Sequence, residues 1–462
     1  MELSYSVKNG WLNDITNEED VFEFCEDYKA FLDEGKTERE CAAYIKKVAI
    51  EQGYISIDEA IEKGINKAGT KIYSVTHKKT VALAVLGTND IVNDGINMIG
   101  AHIDAPRIDL KPNPLYDDVG TALFKTHYYG GIKKYQWVTI PLALHGVFIK
   151  EDGTEVVVNI GEDDNDPVFT ITDLLPHLAQ DQMQKKLGNG ITGEGLNLLI
   201  GSVPTPNDEK DDIKENILNI LSKKYGIIEE DFISAELEIV PAFKAKDIGF
   251  DKSMVGAYGQ DDRVCSHGAV RAILEVNSPA TTSLAILTDK EEIGSMGNTG
   301  AESVILENFI IKLITLVKGN CDMLSIRECF TNSKMLSADV NPAVDSNYKD
   351  VQDLKNAAYL GKGIVIEKYT GSRGKVGGSD ANAEFVAEIR KIFNDSGITW
   401  QTGELGKVDQ GGGGTIAQYI ANMGASVLDC GVPVLSMHSP FEVTSKIDIY
   451  MNYLANKAFL NN

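Results

Sequence analysis

The sequence predicts a mixed α/β sheet covered by helices on both faces and interrupted by a β-rich insertion. Three observations carry that expectation. A chain of 462 residues is too long for one compact core, so two domains, or one domain carrying an insertion, are expected. Short apolar runs bounded by Gly, Asn and Asp alternate with helical patterns beyond about residue 240. Between about 112 and 239 the alternation gives way to strands separated by Asp-Gly and acidic turns. The predicted division is therefore 1–111 with 240–462 as one discontinuous domain, and 112–239 as the insertion.

In chain order, the first eighty residues read as helical, with apolar residues at helical spacing over 21–32. A second helix opens at Thr37-Glu38-Arg39-Glu40, the pattern of a capping box. Residues 81–86 and 97–102 read as buried strands. Inside the insertion, 136–144, 146–150 and 155–160 read as strands, and the polar run 204–214 as an exposed loop. Further on come a helix at 264–276, a strand at 283–288 and a strongly apolar helix at 303–318. A strand at 334–340, helices at 381–394 and 415–423, and strands at 426–429 and 432–438 complete the pattern.

Composition excludes several classes. The formal charge is −24, from 44 basic and 68 acidic residues, and no basic block stands out, so nucleic acid and anionic membrane surfaces are poor partners. No apolar run reaches membrane-spanning length, and residues 1–7 lack a basic region followed by an apolar stretch. The six cysteines are scattered without a C-x-x-C pair and read as reduced thiols of a cytoplasmic protein.

The chemistry-bearing residues fall where predicted strands and loops end. His102 and Asp104 close the 97–102 run as His-x-Asp. Asp261 and Asp262 occupy a Gly-Gln-Asp-Asp-Arg loop just before a helix, where an N-cap role suits Asp262 and also Asp339. Glu291 and Glu292 follow the 283–288 strand, Asp339 follows Ser337-Ala338, and His438 ends the 432–438 run. Adjacent glutamates repel unless solvent screens them or a cation lies between them. Each residue has an ordinary structural role when taken alone, yet together they form an oxygen- and nitrogen-rich set without thiolate. Such a set suits Zn²⁺, Co²⁺ or Mn²⁺.

Ala101-His102-Ile103-Asp104-Ala105-Pro106, Gln260-Asp261-Asp262-Arg263, Asp289-Lys290-Glu291-Glu292-Ile293-Gly294-Ser295, Ser337-Ala338-Asp339 and Met437-His438-Ser439 resemble, in order and spacing, the five metal-site motifs of the aspartyl aminopeptidase family of di-zinc exopeptidases. The resemblance implies a phosphorylase/hydrolase-like catalytic domain with an inserted dimerisation domain. It implies two divalent ions, zinc foremost, bridged by Asp261, with His102 and Asp339 completing one site and Glu292 and His438 the other. Glu291 becomes the general base for a metal-bridged water, and Asp104 accepts from the far nitrogen of His102 and fixes its tautomer. The Asp261–Asp262 peptide is expected to be cis. His177, in Pro176-His177-Leu178-Ala179, resembles the histidine that reaches a neighbouring subunit's site and stabilises the oxyanion. Lys368 matches more loosely as a substrate contact, with a solvated loop as its alternative. The run Asp409–Thr415 lacks the ending of a nucleotide loop and resembles the family's close-packed backbone beside His438.

The function implied is removal of the N-terminal residue from peptides with a free N-terminus, by a homo-oligomer whose dimers assemble into a dodecamer. A related di-metal amidohydrolase, such as a deacylase or carboxypeptidase, is the first rival, and a non-catalytic scaffold of the same fold the second. The preferred N-terminal residue is not written in the motifs.

Overall fold

Strands buried on both faces read as near-continuous apolar runs. Thr80–Val85, Ile96–His102 and Thr282–Thr288 are such strands, buried throughout. They form the middle of a nine-stranded sheet in this computed structural model, which describes residues 5–206 and 212–462. The first four residues, and 207–211 of the polar run predicted as a loop, lie outside the described residues.

The chain divides into two units. The first comprises Met1–Asp104, Ala245–Met437 and Glu442–Asn462, and the second Ala105–Lys244 with His438–Phe441. In the first, the strand order is Ile55–Ser56, Lys71–Thr76, Thr80–Val85, Thr282–Thr288, Ile96–His102, Lys334–Ser337, Ser426–Gly431, Ile364–Glu367 and Trp400–Thr402. Thr282–Thr288, Ile96–His102, Lys334–Ser337 and Ser426–Gly431 run parallel, while Thr80–Val85 and Ile364–Glu367 flank them antiparallel.

Alternate strand residues feed two cores. Leu83, Ile99 and Ala285 pack with the helices Glu18–Glu34, Glu38–Glu51, Gln260–Leu274, Ala383–Asp395 and Lys446–Leu460. Ala82, Met98 and Leu284 pack with Ile305–Lys318, Met323–Asn332 and Ala417–Asn422. The sheet is thus mixed and covered on both faces, as the alternation of patterns required.

Local signals explain the agreements and the corrections. Thr37 caps Glu38–Glu51 through the reciprocal bonds of a capping box. The first eighty residues are not all helical, because Lys71–Thr76 pairs antiparallel with Thr80–Val85. The turn between them places His77 and Lys78 in the left-handed region without the Asn-Gly signature that flags such turns. The predicted break at residue 145 is absent: Leu142–Ile149 is one strand, preceded by a 3₁₀ turn at Lys134–Gln136. Gly146, at φ 133°, marks close approach, since a Cβ there lies 2.0 Å from the Glu236 carbonyl oxygen. His438 does not end a strand either. Pro433–Leu435 stops three residues earlier, and Ser436 and His438 take φ of 58° and 63°.

The second unit carries a six-stranded, wholly antiparallel sheet in the order Glu155–Ile160, Leu142–Ile149, Ala235–Pro241, Arg107–Asp118, Thr121–Tyr129 and Leu198–Gly201. The helix Ile213–Tyr225 belongs to it and ends on left-handed Gly226. Phe441 returns to this unit and meets Phe243 edge-on at 5.4 Å. Among the described residues no helix is long and apolar enough to cross a membrane.

Candidate metal centre

Parallel strands in register end along one edge, and the polar residues that follow them share that edge. Thr288 lies opposite His102, and Ser337 opposite Gly100. Glu291 and Glu292 come three and four residues after the first of these strands ends, and Asp339 two residues after the last. Asp261 and Asp262 enter from the first turn of Gln260–Leu274, where both depart from helical geometry. The peptide between them is cis, as expected.

His102 is the centre of the cluster and is 1% exposed. Its Nε2 makes no hydrogen bond and faces Asp261 Oδ1 at 3.2 Å, Glu291 Oε2 at 3.8 Å and Asp339 Oδ1 at 3.8 Å. Its Nδ1 lies 3.2 Å from Asp104 Oδ1 and 3.1 Å from the Asp104 carbonyl oxygen. The same Asp104 carboxylate accepts from the backbone N–H of Glu291 at 3.1 Å and of Glu292 at 3.2 Å. One buried side chain therefore orients the imidazole and fixes the turn that presents both glutamates. That turn is further shaped by Lys290 and Ser295, at φ 67° and 60°, and by the Ser295 N–H, which donates to the Lys290 carbonyl.

The charges are crowded enough to perturb one another. Burial alone pushes the His102 imidazole down, but the carboxylates of Asp104, Asp261 and Asp339 outweigh it and hold the ring well above the usual histidine range. Burial pushes the Glu291 carboxyl up to about 8, with His102 opposing and Asp339, Asp104 and Asp261 adding to the rise. Asp262 and Asp339 are also raised, chiefly by burial.

The arrangement fits a cation. Two ligand atoms about 2.0–2.1 Å from one tetrahedral zinc stand roughly 3.4 Å apart, close to the His102–Asp261 separation of 3.2 Å. Two triads of ligand atoms lie within 4.8 Å of one another: His102 with Asp261 and Glu292, and His102 with Asp262 and Asp339. A metal ion held there would offset the repulsion among the carboxylates and would need His102 neutral to bind it.

The remaining residues singled out from the sequence have their own local surroundings. His438, half-buried in the second unit, has its Nδ1 3.0 Å from the Gly131 carbonyl oxygen. His177 stands exposed in the 3₁₀ turn Pro176–Leu178, with Leu174, Leu175 and Leu178 exposed around it. Lys368 is 51% exposed and shares Asp380 with Lys375, at 3.3 and 2.8 Å. The two glycine-rich stretches meet: Gly412–Gly413 pairs with Gly371–Ser372, and Thr415 Oγ1 donates to the buried Asp429 at 2.6 Å. Sequence reading missed two acids. Asp262 is not a helix cap, since its Oδ2 accepts from the His102 N–H at 3.4 Å; its place beside Asp261 was the available signal. Glu442, whose Oε2 accepts from the Asp261 N–H at 3.1 Å, had no signal beyond following His438 by four residues.

Comparison with known proteins gives a consistent result. Residues 31–460 match the family described as aminopeptidase I zinc metalloprotease, M18. A protein of Clostridium acetobutylicum named probable M18 family aminopeptidase 1 is 51% identical over 464 aligned residues, covering 100% of this chain and 99% of its own. The crystal structure of an M18-family aminopeptidase from Thermotoga maritima superposes with a TM-score of 0.95 at 44% identity, covering 99% of this chain and 100% of that one. A structure titled the S. cerevisiae mApe1 dodecamer shares the fold, with a TM-score of 0.76 at 22% identity, covering 95% and 97% of the two chains.

Proposed function

The chain belongs to the M18 family of zinc metallo-aminopeptidases, which includes the aspartyl aminopeptidases, and on that premise we propose how its own residues divide the work. The protein hydrolyses the N-terminal residue from peptides. Its cofactor is zinc, and we assign two ions per subunit, a donor set that cobalt or manganese also matches. In this assignment His102 and Asp339 would hold one ion and Glu292 and His438 the other, with Asp261 contributing to both. When bound there, zinc would supply Lewis-acid polarisation of the scissile carbonyl and lower the pKa of water.

Glu291 takes the proton of the attacking water and passes it to the leaving amine. Asp104 keeps the His102 ring and the Glu291 backbone in place while that proton moves. The observation that supports this reading most is the buried His102 Nε2 facing three carboxylates, with both glutamates tied to Asp104. A free α-amino group completes recognition, so peptides with free and N-acetylated termini separate an aminopeptidase from a deacylase. The free peptide is the expected substrate, and equal or faster hydrolysis of the blocked one overturns the assignment.

Residues 112–239 act as a dimerisation domain, and dimers build a homo-oligomer of dodecamer size; the dodecameric yeast relative supports this. His177, exposed among leucines, serves the partner's site as oxyanion donor. His177→Ala is then expected to lower turnover by about 10²–10³-fold with zinc content unchanged. Lys368 contacts substrate only if it leaves Asp380. Six cysteines without a disulfide support a cytoplasmic setting.

A further inference from the structure

The first backbone N–H groups of a helix have no acceptor within the helix. Gln260–Leu274 begins without a side-chain cap: Gly259 occupies that position at φ 72°, and Asp261 and Asp262 have ψ of 108° and 32°. The turn that carries the bridging ligand has little helical support of its own. It is held instead by a distant residue. The Asp261 N–H donates to Glu442 Oε2 at 3.1 Å, and Glu442 is 1% exposed.

We infer that Glu442 is a positioning residue for the Asp261 ligand, fixing the backbone of residues 260–262 so that the Asp261 carboxylate stays aimed at the metal. This rests on the proposed role of Asp261.

Three features give the tie its stiffness. Glu442 opens the strand Glu442–Ser445, which pairs with Met254–Ala257 so that Glu442 lies opposite Ala257, four residues before Asp261. Acceptor and donor therefore hang from one ladder. Gln260 closes the arrangement from the other side: its Nε2 donates to the Glu442 carbonyl at 2.7 Å and to the Val255 carbonyl at 3.2 Å, and its Oε1 accepts from Tyr28 Oη at 3.2 Å. Gln260 and Tyr28 are each 0% exposed. An ionised acceptor makes a shorter, stronger bond than a neutral one.

The test uses the zinc-loaded, full-length enzyme and reads zinc affinity by competition with a chelator, alongside kcat and KM for a free-amine peptide. Asp261→Asn is the reference and is expected to lose tight zinc binding. Glu442→Ala is expected to bind zinc about 10–100-fold more weakly, with kcat falling while KM holds. Glu442→Gln, whose amide oxygen can accept the same N–H, is expected to recover most of that affinity. Gln260→Met is expected to weaken zinc in the same direction by a smaller factor. A folded Glu442→Ala enzyme with parental zinc affinity, or Glu442→Gln as weak as Glu442→Ala, overturns the inference. If Glu442→Ala does not fold, Gln260→Met decides, and parental zinc affinity there overturns it. Parental zinc binding by Asp261→Asn overturns the assignment of Asp261 as a ligand and this inference with it, whereas loss in Asp261→Asn alone leaves the assignment standing.

Discussion

The region that presents His102 and the region that presents His438 hold an imidazole in opposite ways. His102 ends a buried strand of the first unit, with a carboxylate behind one ring nitrogen and three more in front of the other. His438 lies in the second unit on left-handed backbone, half-buried, with the Gly131 carbonyl behind its Nδ1. A histidine backed by a buried carboxylate is a stronger donor to metal and is harder to displace. One backed by a carbonyl depends on how closely a loop can approach. The two proposed sites should therefore differ in how they fail.

Substitutions can break or sharpen that contrast. Glu291→Gln removes the base and puts an isosteric amide in place of one of the carboxyl groups facing His102, so hydrolysis should fall by about 10²–10⁴-fold with zinc content unchanged. Metal analysis beside turnover checks this, and retained activity sinks the mechanism. Asp104→Ala strikes the first region and is expected to weaken zinc about 10–100-fold, measured by chelator competition. Gly131→Ala strikes the second. Its new Cβ comes within 3.2 Å of His438 Nδ1 and displaces the ring, and the expected loss is about tenfold or less, confined to one ion. Equal losses from Asp104→Ala and Gly131→Ala would erase the distinction. Lys368→Ala should change least, since its exposed pairing with Asp380 is worth about 1 kcal/mol or less; a larger fall in kcat/KM would restore it as a substrate contact.

The first region was the more legible in sequence because its parts obey strand and motif rules. Apolar runs end at His102 and Thr288, and polar residues follow. Thr37 announced its helix because a capping box is a local pattern. What was missed depends on long-range neighbours. Residue 145 looked like a break until Leu142–Ile149 proved one strand, and Asp262 looked like a cap until the His102 backbone met it. The hairpin at His77 and Lys78 escaped notice because its turn is made by residues that seldom adopt positive φ. Glu442 could not be found at all without knowing that Ala257 lies opposite it.

The placement of Thr282–Thr288 has a consequence for biosynthesis. It lies between Thr80–Val85 and Ile96–His102, two strands that follow each other in the chain and yet never pair. During translation both wait with an open edge while Ala105–Lys244 of the second unit is made, which is the condition under which nascent chains attract chaperones or aggregate.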